Sequence, residues 1–223
     1  MTGISAMLNF LALLKNNNNR PWFAEHKADY EKIRMDCFRE IEELIDHVAR
    51  FDSRVAGLTP QEATYRIYRD IRFSNDKSPF KTHFGIVIAS HGRKTKGAGY
   101  YLHIEPGECA LYGGVWFPQS DVLRVLRRSV YDNMDELQEI ISRPEFRKVF
   151  PQLEGDRLKT MPRGYPADAP HAELLKLKEY LVSCRYDDRL FERPDWQDTV
   201  AGHIRLLQPF TEFFNFTFDE MHS

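Results

Sequence analysis

Cysteine is scarce in this chain. Cys37, Cys109 and Cys184 are the only three, and they lie far apart. An odd, scattered set excludes a disulfide framework and has no zinc-finger spacing. Each cysteine reads as a small core residue, and a reducing cytoplasm is the expected setting. No apolar run approaches the roughly 18–20 residues of a membrane span, so no membrane partner is expected. The N-terminal residues lack the basic flank, apolar run and cleavage site of a secretory signal. Charge of one sign is also lacking. The 31 Lys and Arg stand against 33 Asp and Glu, for a formal net charge of −2. That balance argues against a protein that coats nucleic acid, which is usually strongly basic. Linkers, low-complexity runs and internal repeats are missing, so the 223 residues read as one domain, 1–223. No nucleophile elbow, HExxH, CxxC, P-loop or EF-hand loop occurs, and GYY…LYGGVW does not match a dinucleotide fingerprint. No cofactor is expected.

What the chain does have is a concentrated basic stretch, Arg66 to Lys81, RIYRDIRFSNDKSPFK. Arg66, Arg69, Arg72, Lys77 and Lys81 fall within it, with Tyr68, Phe73 and Phe80 between them and only Asp70 and Asp76 as acids. Odd positions Tyr65, Ile67, Ile71 and Phe73 are apolar, and even positions Arg66, Tyr68, Asp70 and Arg72 are polar or amphipathic. Period two predicts a half-buried strand over Tyr65 to Phe73. Arg69 breaks the pattern, as a residue with a buried stem and an exposed head would. Ser74 to Pro79 is turn chemistry. A loop leaving a strand end with lysines and free N–H groups suits an oxyanion. Arginine suits bidentate recognition of carboxylate or phosphate.

Along the rest of the chain the fold class reads as α+β. An antiparallel sheet of about four or five short strands packs against N-terminal and C-terminal helices. Helical spacing places one helix over Ile4 to Lys15 and a second over about Pro21 to Arg50, the second carrying His26 on its apolar stripe as a structural residue. His83–Ser90, Gly99–Glu105 and Glu108–Trp116 alternate as strands of a meander. Between the first two, His91 to Gly97 is a turn with three more bases. Gly113-Gly114 marks a bulge, a sheet bend or a close backbone approach by a ligand. Past Pro118 the chain turns helical, at 122–130, at 134–141 and in a short piece after Pro144. Tyr180–Arg185 reads as an edge strand. A last helix follows Pro194. Gly155 to Pro166 is a second basic loop, with Arg157, Lys159 and Arg163.

His83, His103, Asp70, Asp76 and Glu105 offer a base or metal ligands, but their spacing fixes nothing. If the meander pairs neighbours, Arg66, Tyr68, Asp70 and Arg72 share a polar floor with Tyr101, His103 and Glu105. His103 would then be a general base oriented by Glu105 or Asp70, and the arginines would stabilise developing charge. No metal is expected, because the clustered cations repel one.

FLALLKNNNNRPWFAEHKADYE, RIYRDIRFSNDKSPFKTHFGI, YYLHIEPGECALYGGVWFP and GDRLKTMPRGYP with LLKLKEY together resemble one family, catalogued as domain of unknown function 2461. The likeness spans nearly the whole chain, and RDIRFSNDKSPFK is its most specific motif. It implies a single α+β domain in a stand-alone bacterial cytoplasmic protein and supplies no activity. Pro21 departs from the pattern, which bears on a helix start. Three readings stand. The first is a site for a small anionic ligand, phosphorylated or carboxylated. It would use Arg66, Arg69, Arg72, Lys77 and Lys81, with Tyr68, Tyr101 and His103 on the floor and Arg157, Lys159 and Arg163 as a lid. The second is an interaction module gripping nucleic acid or an acidic protein, which the net charge disfavours. In the third, the basic residues only form internal salt bridges.

Overall fold

The computed structural model describes residues 1–72 and 75–222. Thr2 caps α1 (Gly3–Asn16) by accepting from the Ser5 N–H at 3.0 Å. The asparagine run then stops the helix, and Asn19 caps α2 (Arg20–Glu25), with Pro21 in its first turn. The single helix expected over 21–50 is two. It breaks at His26, whose backbone leaves the helical range at φ −101°, ψ 10°; its N–H and its Nδ1 both lie on the Trp22 carbonyl, at 3.1 and 2.8 Å. The His26 ring also stacks on Trp22, centroids 4.0 Å apart. α3 (Lys27–Ala49) buries the stripe Cys37, Ile41, Leu44, Ile45 and Val48 and packs along α1. Gly3 makes that approach close. A Cβ there would lie 2.6 Å from the Cys37 nitrogen.

A capping box of Thr59 and Glu62 starts α4 (Pro60–Ala63). Three strands follow at the positions read from alternation: β1 (Phe84–Ile88), β2 (Gly99–Ile104) and β3 (Ala110–Val115). Next come α5 (Ser120–Asp132), α6 (Met134–Ser142) and α7 (Pro144–Val149). β4 (Leu153–Glu154), α8 (Ala172–Leu175), β5 (Tyr180–Arg185) and α9 (Trp196–His222) complete the order. The strands form one antiparallel sheet, β1-β2-β3-β5-β4. The chain is α+β. β5 is not an edge strand, because Leu153 and Glu154 pair with Val182 and Leu181 outside it. A two-residue strand carries no alternation, so its sequence does not announce it.

The strand expected over Tyr65–Phe73 is absent among the described residues, and Phe73 and Ser74 lie outside them. Thr64 and Tyr68 make isolated bridges to Ile86 and Phe80. The Lys81 N–H donates to Ile67 O at 2.8 Å and the Arg69 N–H to Pro79 O at 3.0 Å. The ladder stops there for two reasons. Pro79 has no N–H to return, and the Arg72 N–H turns to the Asp70 carboxylate at 3.2 Å.

Residue contacts gather into two compact units, each described by itself. The first is Met1–Thr95, Tyr101–Leu111 and Arg185–Gly202, and the second is Lys96–Tyr100, Tyr112–Cys184 and His203–Ser223. In the first, Phe10, Phe23 and Tyr30 cluster, with Phe10–Tyr30 and Phe23–Tyr30 centroids both 5.5 Å apart. The second unit is centred on aromatic residues of α9. Phe214 stacks on Tyr180 at 4.9 Å and packs edge-on to Phe210 at 5.2 Å. Buried Arg127 donates to Leu175 O at 2.6 Å and Leu177 O at 2.9 Å, which holds α8 to α5. The glycine pair is explained here by the protein's own packing. A Cβ on Gly113 would lie 2.7 Å from Leu207, and one on Gly114 would lie 2.0 Å from the Tyr180 carbonyl oxygen. Gly114 also has φ +125°, which side chains rarely adopt. Gly114→Ala is therefore expected to cost about 3 kcal/mol or more of unfolding free energy in urea melts. A loss under about 1 kcal/mol would show that the strand relaxes around the methyl group.

Candidate functional site

The expected site residues separate into three groups in the first unit. The first group is exposed and internally paired. Arg72 clasps Asp70 in a fork, Nε to Oδ1 at 2.9 Å and Nη2 to Oδ2 at 2.6 Å. This pairing holds the Asp70 carboxyl below its ordinary pKa. Arg69 pairs with Asp76, which also accepts from the Ser78 N–H at 2.8 Å and hydroxyl at 2.6 Å. Those bonds from Ser78, and then Arg69, depress the Asp76 pKa strongly. Lys77 donates to Ile71 O at 3.1 Å. Asp70 is thus engaged by Arg72 and not by His103.

The second group opens a cleft of about 490 Å³. Arg66, Lys81, Tyr65 and Tyr68 line it, together with Arg34 from α3 and Arg93 and Lys94 from the turn after β1. Glu31 is its one lining acid, and Arg34 takes it at 2.8 Å. Arg93 is occupied too. It donates to Glu62 O at 3.0 Å and Thr64 O at 3.1 Å, pinning the end of α4. Arg66, Lys81 and Lys94 differ: among the described residues none of the three makes a salt bridge to a carboxylate. The Lys81 ammonium sits 4.9 Å above the Tyr65 ring. Its burial, and then the nearby Arg66 charge, pull its pKa below the usual lysine value. Arg69, Arg72, Lys77, Tyr101 and His103 do not line this cleft.

The third group is a chain of hydrogen bonds on β2 and the segment before β1. Tyr101 Oη lies 3.1 Å from His103 Nδ1, and His103 Nε2 lies 3.0 Å from Glu105 Oε2. Thr82 donates to Glu105 Oε1 at 3.0 Å. Alternate residues of one strand share a face, so Tyr101, His103 and Glu105 line up. The His83 ring lies 4.8 Å from the His103 ring. Tyr101 needs the bare backbone of Gly85, where a Cβ would come within 2.6 Å of its hydroxyl. Burial raises the Glu105 pKa, but bonds from His103 and Thr82 outweigh it and the net shift is downward. Burial, then the His103 charge, push His83 down to about 4.

One residue organises the last two groups. Buried Phe80 stacks on Phe23, centroids 4.1 Å apart. Its N–H donates to Asn18 Oδ1 at 3.1 Å, and its carbonyl accepts from Asn18 Nδ2 at 3.0 Å. The next residues are Lys81, Thr82 and His83. Arg157, Lys159 and Arg163 belong to the second unit. There Arg157 bridges Leu177 and donates to Leu153 O at 3.2 Å, and Lys159 and Arg163 are exposed.

The match to the family described as "Conserved hypothetical protein (DUF2461)" covers residues 6–213. The chain belongs to the DUF2461 family. No curated protein and no solved structure matches it. In this DUF2461 chain, sequence reasoning missed Arg34, Arg93 and Lys94. A signal existed for Arg34. It lies on α3 four residues from both Tyr30 and Phe38, and it covers the Phe38 ring at 4.9 Å. Among the described residues no helix is long and apolar enough to cross a membrane.

The depressed His83 predicts a stability profile. Between about pH 4 and 6.5 the unfolded chain binds the proton more readily. Stability is therefore full above that window and is lost as pH falls through it. His83 is part-exposed, so solvent reduces the contribution to about 1–2 kcal/mol. Thermal melts from pH 7.5 down to 4.5 should fall less steeply in His83→Gln than in the wild type. Parallel curves would place the acid sensitivity elsewhere.

Proposed function

We propose that the first unit binds a small anionic molecule, phosphorylated or carboxylated, in the cleft of Arg66 and Lys81. The observation that carries this reading is that Arg66, Lys81 and Lys94 line one cleft with no salt-bridge carboxylate among the described residues, and that the Arg66 charge is close enough to act on Lys81. Two positive groups, one partly desolvated, repel each other, and an anion between them relieves that cost. The aromatic walls supply what a planar or apolar portion of the ligand would pack on. The volume lies within the range of about 300–1,000 Å³ usual for small-molecule sites. The salt-bridge reading fits Arg69 and Arg72, each facing an aspartate, and does not fit Arg66 or Lys81. A concave cleft in a chain of net charge −2 favours a compact anion over a nucleic-acid strand.

Thermal-shift measurements at low salt test this with phosphate, pyrophosphate, adenosine monophosphate, citrate and a short oligonucleotide. At least one small anion is expected to raise the melting temperature of the wild type by mass action. Arg66→Gln and Lys81→Met should each weaken that ligand about 10–100-fold, the cost of a charge-assisted hydrogen bond. Arg72→Ala should keep it. No shift with any small anion, or equal shifts in the two cleft variants, would remove the reading. A shift with the oligonucleotide alone, falling steeply with salt, would support the interaction module.

A further inference from the structure

The metal-binding potential of the third group does not depend on the cleft. The donor atoms of His83, His103 and Glu105 all lie within 4.8 Å of one another. We propose that these three side chains bind one divalent transition-metal ion, zinc or iron(II), and leave part of its coordination sphere open.

Three observations carry this. The first is spacing. His103 Nε2 and Glu105 Oε2 are 3.0 Å apart. An ion about 2.1 Å from each would bind the two at an angle near 90°. It takes the place of the proton on Nε2: a neutral ring then carries its one proton on Nδ1, and a doubly protonated ring releases one to solvent. An ion at that distance spans at most about 4.2 Å between opposite donors, so binding draws His83 inward by on the order of 1 Å.

The second is the outer shell. A metal-ligating histidine normally has its other nitrogen held by a polar partner, and a ligating carboxylate is likewise hydrogen-bonded. Both partners are already in place. Tyr101 Oη stands beside His103 Nδ1 and fixes Nε2 as the free donor when Nδ1–H donates to it. Thr82 occupies Glu105 Oε1, leaving Oε2 for the ion. A chance contact of three side chains would not supply both.

The third is the donor set. Two imidazoles and one carboxylate suit zinc or iron(II), while magnesium and calcium prefer oxygen. Three protein ligands leave room for water or substrate, and the His103 and Glu105 side chains keep about a fifth of their surface accessible. The expectation of no metal rested on repulsion by the basic cluster. The structure pairs Arg69 and Arg72 with Asp76 and Asp70 and sets the Glu105 carboxylate directly on His103. Lys81 and Arg69 still oppose a cation here, and imidazole coordination must outweigh them.

The test uses tag-free, chelator-treated full chain. Zn²⁺ titration by calorimetry and Co²⁺ titration by visible absorption should each show one ion per chain, with a Kd of about 1 μM or tighter. His83→Ala and His103→Ala should each weaken binding at least about 100-fold. Thr82→Val touches no metal atom and should weaken it about 10–100-fold through the outer shell, while the metal-free protein melts only about 2–4 °C lower for the one hydrogen bond lost. His91→Ala, on an exposed turn, should bind like wild type. Should His103→Ala fail to fold, His83→Ala and Thr82→Val carry the test. The proposal falls if stoichiometric binding is absent at 100-fold higher metal concentration, if the histidine variants bind as tightly as wild type, or if Mg²⁺ binds in preference to Zn²⁺.

Discussion

Phe80 is the point on which the first unit's chemistry depends. Its ring stacks on Phe23 while the Asn18 amide meets both of its backbone groups. A side-chain amide here does what a neighbouring strand would do. It supplies one donor and one acceptor to a buried peptide unit that would otherwise lose its water uncompensated. The asparagine run that ends α1 therefore has a second use, since it reaches 62 residues along the sequence and fixes where the basic segment emerges. From that anchored residue the next three diverge to separate tasks. Lys81 enters the cleft, Thr82 reaches Glu105, and His83 approaches His103.

This arrangement separates the basic residues that hold structure from those that remain available. Arg69 and Arg72 sit in the most basic motif of the chain, yet each faces an aspartate a few residues away. Exposed pairs of this kind contribute little to stability, and their effect is to shape the loop. Arg93 is spent on three backbone carbonyls. Arg66, Lys81 and Lys94 are left without such partners among the described residues, and Arg66 and Lys81 stand out because the charge of one acts on the other.

The fold was legible where periodicity is strong. The stripe from Cys37 to Val48 and the alternation in Phe84–Ile88 and Gly99–Ile104 named their elements correctly. The reading failed where a different rule competes with periodicity. The alternation from Tyr65 onward is real, and Ile67 is buried, but Pro79 and the Asp70 side chain prevent a ladder from forming. At His26 the backbone leaves the helical range although the apolar stripe continues through it. β5 was placed correctly and given the wrong neighbours, since its outer partner is only Leu153–Glu154. At the site, the shared face of Tyr101, His103 and Glu105 was visible from their alternation on one strand, though their roles were not. Arg34 was not read as a cleft residue although its spacing from Tyr30 and Phe38 was available, because which side of α3 faces the loop is set by tertiary packing. Thr82 was not either, because a threonine carries no signal until its acceptor is known.

Gly85 has an implication of another kind. The Tyr101 hydroxyl rests where a side chain at position 85 would have to begin. An alanine there and this tyrosine cannot both keep their places. Among relatives of this chain, a bulkier residue at 85 should travel with the loss of the tyrosine at 101, and the histidine two positions on would then lose its Nδ1 partner. The two positions are coupled by volume alone, and an inventory of hydrogen bonds would not reveal it.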